Sequence, residues 1–188
     1  VSGRAAVLAR VEAGSAALTA GAIEGGVQRM REAVASARKT DDDELLATAL
    51  VALGGALVHS ARGTDEEGAA ALHEGTTLAE GVGRDDIAAT GWREISWVQF
   101  LRAEYERAEE SLTRTRDFAR GSEEELAWVD VIRGSCRHDT GDYVAAGGED
   151  DGFHKAALAR QLRQKFCKAS PWPGLHASNG WTGDRVDA

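Results

Sequence analysis

The side chains able to do chemistry in this chain are few, and their spacing suits none of the usual reactions. His59, His73 and His138 lie far apart, with no cysteine or carboxylate at metal-ligand spacing. The run Asp41, Asp42, Asp43, Glu44 has the charge for a cation. It lacks the glycine turn and distal glutamate of a calcium loop, so helix capping and pairing with the helix dipole explain it better. Cys136 precedes His138 by two residues, a step that puts two side chains on different sides of a helix, so no thiolate–imidazole nucleophile is expected. Ser96, Ser111 and Ser135 fall inside helical patterns without a Gly-x-Ser-x-Gly elbow. The pairs Gly25-Gly26 and Gly54-Gly55 also lie within helical patterns and read as close packing rather than phosphate binding. The expectation is a protein that is not an enzyme and uses no metal or cofactor.

Helices must therefore carry the function. Apolar residues recur at three- and four-residue steps, as in Leu45, Leu46, Ala49, Leu50, Leu53 and Leu57, and again in Ile87, Trp92, Ile95, Val98 and Leu101. Alternating runs of Val, Ile and Thr are missing, so no strand is expected. Ser122-x-x-Glu125 and Thr64-x-x-Glu67 have the form of capping boxes, Thr40 before the acidic run marks a third helix start, and Asp85-Asp86 a fourth. Glycines at 21, 63, 81, 83, 121 and 141 break the helices. The pattern predicts helices over roughly 4–19, 23–38, 42–61, 65–80, 86–102, 105–119 and 123–139, with an eighth starting near 142. Short connections make neighbours antiparallel.

A small–bulky–small signature then returns along the chain. It reads Gly141, Tyr143, Ala146; Ala103, Tyr105, Ala108; and, more worn, Gly21, Ile23, Gly26, with a weaker copy at Gly63 and Gly68. The steps are 42 residues from Gly21 to Gly63, 40 to Ala103 and 38 to Gly141. A fixed period of this size means stacked supersecondary units, none of which buries its apolar face alone. Trp92, Ile95, Ser96, Ala103, Tyr105, Ala108 and Leu112 follow in register, with Leu50, Leu53, Gly54, Leu57, Leu72 and Gly75 an earlier copy. Gly134 opens the last one, which departs at Asp130 and Arg133, where apolar residues are expected.

These residues resemble the tetratricopeptide repeat (TPR) in a longer, forty-residue form, over about residues 4–146. The resemblance implies an all-α solenoid of antiparallel helix pairs, about three and a half repeats in 1–146. It also implies a concave groove lined by the first helix of each pair. Carried over position by position, the groove residues are Thr90, Arg93, Trp97, Phe100 and Leu101 in the best copy. In the second they are Thr48, Val51, Gly55, Val58 and His59, and in the fourth Trp128, Val131, Ser135, His138 and Asp139. Arg93, Trp97, Phe100, His59, Trp128 and His138 are the expected partner-binding side chains; the competing reading packs Trp97, Phe100 and Trp128 between repeats. Expanded, Arg- and Ala-rich repeats of this type also resemble repeat regions of large bacterial multidomain transcriptional regulators with an ATPase module. This chain carries no GxxxxGK[ST] of its own.

The function expected is non-catalytic binding of a protein or peptide. A sensor or regulatory part of a larger regulator is the alternative, and a small-molecule-binding helical domain the third reading. Net charge is −9, which disfavours direct nucleic-acid binding. No run of 18 apolar residues exists, so no membrane span is expected. Two cysteines, Cys136 and Cys167, give no disulfide framework, and with no export signal they favour the cytoplasm.

Residues 147–188 differ in composition. They hold both prolines, Pro171 and Pro173, and six basic against five acidic residues, which leaves a net charge of −10 to residues 1–146. Phe153 to Lys168 has the pattern of a basic amphipathic helix, and the text after Ser170 reads as disordered. The repeat register fails after Ala146, where an apolar face left bare would favour a homodimer.

Overall fold

The computed structural model describes residues 3–60 and 64–141. Among them are seven helices and no strand: α1 (Gly3–Thr19), α2 (Ile23–Ala37), α3 (Asp43–Ser60), α4 (Asp65–Gly81), α5 (Asp85–Leu101), α6 (Tyr105–Ala119) and α7 (Glu123–Asp139). The eighth helix near 142, the stretch 153–168, the tail to 188 and the bare end at Ala146 lie outside the described residues.

The architecture is an all-α stack of antiparallel helix pairs in chain order. The most intimate contacts are within pairs, α1 with α2, α3 with α4, and α5 with α6. Each odd-numbered helix also touches the next odd-numbered one: α1 with α3, α3 with α5, α5 with α7. Their shared side is the one that can form a groove.

Small residues set the distance within each pair. The twelfth residue of every odd helix is small: Gly14, Gly54, Ser96 and Gly134. A Cβ on Gly14 would stand 3.1 Å from the Gly26 carbonyl oxygen, and one on Gly26 2.9 Å from that of Gly14. Gly54 and Gly68 repeat the arrangement, with 2.9 Å to the Gly68 carbonyl and 3.3 Å in return. Backbone thus meets backbone, and Leu18, Met30, Leu57 and Leu72 close over the crossing. In the third pair Ser96 and Ala108, both fully buried, hold the same places. The apolar core falls into three clusters along the stack. One runs from Val7 through Met30 and Leu45 to Leu57, a second joins Leu72 to Ile87 and Ile95, and a third holds Leu112, Val129 and Ile132.

Helix termini depart from the sequence expectation in an instructive way. Ser122 Oγ does accept the amide of Glu125, at 3.4 Å, but Glu125 does not reach back to complete a capping box; its carboxylate goes to Thr90 instead. Thr64 makes no capping bond to α4 and donates its hydroxyl to the Leu57 carbonyl. Asp42, not Thr40, caps α3, taking the Leu45 amide at 2.9 Å, while Thr40 donates to Ala37. At each site a hydroxyl had a nearer carbonyl, or a carboxylate a better donor, in a neighbouring helix.

Three turns between helices use a left-handed glycine, Gly21, Gly83 and Gly121, at φ between +71° and +87°, but in the α5–α6 turn Ala103 does the same job at φ +58° with a Cβ in place. Replacing Ala103 by Gly should therefore raise stability by about 0.5–1 kcal/mol in urea denaturation.

The two adjacent glycines of α3 are expected to behave oppositely. Gly54→Ala puts a Cβ 2.6 Å from Leu72 Cγ and close to rigid backbone, and should cost about 1–3 kcal/mol. Gly55→Ala meets nothing nearer than Glu94 Cδ at 3.8 Å, so the gain in helix propensity should stabilise by about 0.5–1 kcal/mol. Thermal or urea unfolding of the two variants checks both signs.

Candidate binding groove

α3 is apolar around most of its circumference, as a central helix must be. Leu45, Leu50, Leu53 and Leu57 are buried. One stripe stays only half-buried: Thr48, Ala52, Gly55 and His59, at steps of four, three and four. It faces a groove of about 850 Å³ whose lining is contributed by α1, Met30 of α2, α3, α5, the end of α6 and the start of α7. The sequence expectation located Thr48, Val51, Gly55, Val58 and His59 on this side; four of them line the groove together with Thr90, while Val58 packs against the second core instead.

At the floor a network of charged side chains joins three odd helices. Glu94 of α5 is buried, with 10% of its side chain exposed. It is held from both sides: His59 Nε2 of α3 lies 2.6 Å from Oε2 and Arg93 Nη2 2.7 Å from Oε1. Burial alone would push the Glu94 carboxyl up; the electrostatic attraction and hydrogen bonds from His59 and Arg93 outweigh it and hold the pKa at about 2. Glu94 is thus ionised at neutral pH and only accepts, so the proton of this bond sits on His59 Nε2, which donates.

Arg93 then turns toward α7. Its Nε is 3.6 Å from Glu125 Oε2, and its guanidinium carbon stands 5.6 Å from the Trp128 ring centroid, within range of a cation–π contact. Glu125 Oε1 accepts the Thr90 hydroxyl at 2.9 Å. The facing Arg93 Nε and Glu125 Oε2 are both buried and make no hydrogen bond, so the contact between them is Coulombic.

Of the six expected partner-binding residues, only His59 lines the groove; Arg93, Trp97, Phe100 and Trp128 take packing roles outside its lining. Trp97 and Phe100 pack against each other with centroids 5.3 Å apart, and with Tyr105 they cover the third core. Trp97 also lies 6.1 Å from the His59 ring. Trp97, Phe100, Arg93 and Trp128 are thus half-buried between α5 and its neighbours, outside the groove lining; the packing reading describes Trp97 and Phe100. His138 is exposed at the end of α7, its Nδ1 3.3 Å from Asp139, and does not join the others. Cys136 is buried on another side of α7, and burial raises its thiol pKa to about 11, so it is no thiolate at neutral pH. No group of three or more potential metal ligands occurs among the described residues. No helix among them is long and apolar enough to cross a membrane.

Glu94 escaped sequence reasoning and Glu125 entered it only as a capping-box residue, although the repeat register contains their signal. Glu94 is the tenth residue of α5, where α3 has Ala52 and α7 has the buried Ile132. Glu125 is the third residue of α7, where α3 and α5 have the buried Leu45 and Ile87. Two carboxylates thus stand at positions that are apolar in neighbouring repeats. The departures noted at Asp130 and Arg133 are likewise paired with α6: Arg133 Nε with Glu109 Oε1 at 2.6 Å, and Asp130 with Arg116 at 4.0 Å.

No protein-family model, curated protein or solved structure matches this chain.

The Glu94 network has a pH signature. A carboxyl whose folded pKa is lowered stabilises the fold fully above its ordinary value of 4.5, and that contribution is lost as the pH falls toward about 2. Glu94→Gln should cost about 1–3 kcal/mol at neutral pH. The stability gap between wild type and variant, measured by denaturant titration, should narrow as pH drops through that window. A gap unchanged across it would contradict the ionised, doubly held carboxylate.

Proposed function

We propose that this protein is a non-catalytic, TPR-like module that binds a protein or peptide segment in the groove along α1, α3, α5 and α7. The observation that carries the reading is the half-buried stripe Thr48, Ala52, Gly55, His59 on a largely buried α3, opening onto a groove of about 850 Å³. An apolar central helix left uncovered along one stripe exposes surface that a ligand can cover. The volume falls in the range of ligand sites, and apolar side chains such as Leu18, Val51, Ile87 and Phe118 share the lining with polar and charged ones.

The groove is also preorganised. The Glu94 network ties α3 to α5 and α5 to α7, so the walls need little ordering on binding. Exposed pairs on the even helices, Arg31 with Glu67 and Arg38 with Glu74, link α2 to α4. Each is worth little alone, and both lie on helices whose crossing partners are the groove-forming ones.

The test is a random peptide library selected on the full chain, with affinities of enriched peptides measured by fluorescence anisotropy. Gly55→Leu, which fills the groove in front of Glu94, should weaken them about tenfold or more, and Arg38→Gln on an even helix should leave them unchanged. Enriched peptides that bind Gly55→Leu as tightly as wild type would overturn the groove as the binding site.

A further inference from the structure

Resting on the groove reading, we infer that the occupant is an uncharged segment anchored by a bulky apolar side chain, leucine, phenylalanine or tryptophan, seated over Ala52 and Gly55. The charges of the lining are already paired. Asp85 is bound by Arg120, Asp86 by Arg84 at 2.7 Å, Glu94 by Arg93 and His59, and Glu125 faces Arg93 at 3.6 Å. Four carboxylates are matched by three arginines and one histidine, so an ionic occupant finds no unpaired charge to meet. Burying one there would cost its hydration with no partner to replace it.

Hydroxyls of the groove interior are satisfied in the same way. Thr48 donates to the Glu44 carbonyl at 2.8 Å, and Thr90 to Glu125 at 2.9 Å. The donors still unspent are those of Ser15, Ser122 and the remaining nitrogens of Arg120. All three residues are exposed, on α1 and the α6–α7 turn, where water can keep serving them. Covering the interior therefore strands few polar groups, and apolar surface can be buried against it at little desolvation cost.

The shape suits an anchor. The half-buried stripe of α3 has its smallest residues, Ala52 and Gly55, in the middle, between Thr48 and His59. A Cβ built on Gly55 meets nothing nearer than Glu94 Cδ at 3.8 Å, so Gly55 leaves open space, whereas Gly54 serves a helix crossing. Leu18, Met30, Val51 and Ile87 share the lining. Methionine adapts to irregular apolar neighbours, and small residues beside larger apolar ones make the kind of pocket in which a large anchor concentrates binding energy. The net charge of −10 on residues 1–146 acts on approach rather than on the seated contact, because salt screens it over about 8 Å under physiological conditions.

The experiment uses the full chain and three labelled peptides on one serine–glycine frame, carrying a leucine and a tryptophan, two lysines, or two glutamates. By fluorescence anisotropy the leucine–tryptophan peptide should bind about tenfold or more tighter than either charged one. Its affinity should change by less than about twofold as salt rises to about 0.5 M. Ala52→Leu and Gly55→Leu, which fill the hollow, should each weaken it about tenfold or more, and Arg38→Gln on an even helix should leave it unchanged. Circular dichroism reports whether each variant folds; the ranking of the three peptides on wild type decides the matter even where one does not.

A lysine or glutamate peptide that binds as tightly as the leucine–tryptophan one overturns the proposal. So does an affinity that falls about tenfold as salt rises. Absence of binding by all three peptides, or leucine–tryptophan binding insensitive to the folded groove variants, overturns it as well. Dimerisation lost in Gly55→Leu, without peptide binding, would assign the groove to a second copy and also overturn it. Library-selected peptides that are charged and lack a bulky apolar residue, yet are sensitive to Gly55→Leu, would retain the groove and refute only the anchor.

Discussion

Backbone-to-backbone approach at one small position per helix is the constraint on which the rest of this structure depends. Gly54 and Gly68 lie so close that neither tolerates a Cβ without displacing a neighbour, and Gly14 with Gly26 is the same crossing one pair earlier. Such proximity brings α3 and α4 together over most of their length and lets Leu57 and Leu72 become fully buried. Close-packed interiors transmit such constraints because they have no slack. The odd helices then lie side by side, and the groove between them is a by-product of where the crossings hold them.

The second determinant is a polar network in an apolar place. Glu94 and Glu125 occupy positions that are aliphatic in neighbouring repeats, which imposes a desolvation cost. The structure offsets it with His59, Arg93 and Thr90, drawn from α3 and α5, and with the Trp128 ring of α7 against the guanidinium. A buried ion network contributes little net stability compared with a well-packed apolar cluster. What it does here is fix three helices in register.

The helical elements were legible in the sequence because their causes are local. Apolar periodicity, acidic helix starts and glycines at the C-terminal turns reproduce α1 to α7 to within a residue or two. Three members of the stripe, Thr48, Gly55 and His59, were legible as well, because the repeat register transfers a position from one helix to another; Ala52 was not. The capping partners of Thr40, Thr64 and Glu125 were not. A hydroxyl or carboxylate near a helix start has local and distant partners within equal reach, and which one wins depends on the neighbouring helix.

By itself the sequence determined that the chain folds into antiparallel helix pairs stacked in order, and which position of each odd helix must be small. Those are matters of period and of steric volume, and both are written along the chain. Only the tertiary structure decided that Gly54 serves a crossing while Gly55 keeps a groove open. It also decided that Trp97 and Phe100 cover a core, and that Glu94 sits between His59 and Arg93. The physical reason is the same in each case: adjacent residues on a helix face different neighbours, and burial, charge pairing and open space belong to the neighbour, not to the residue.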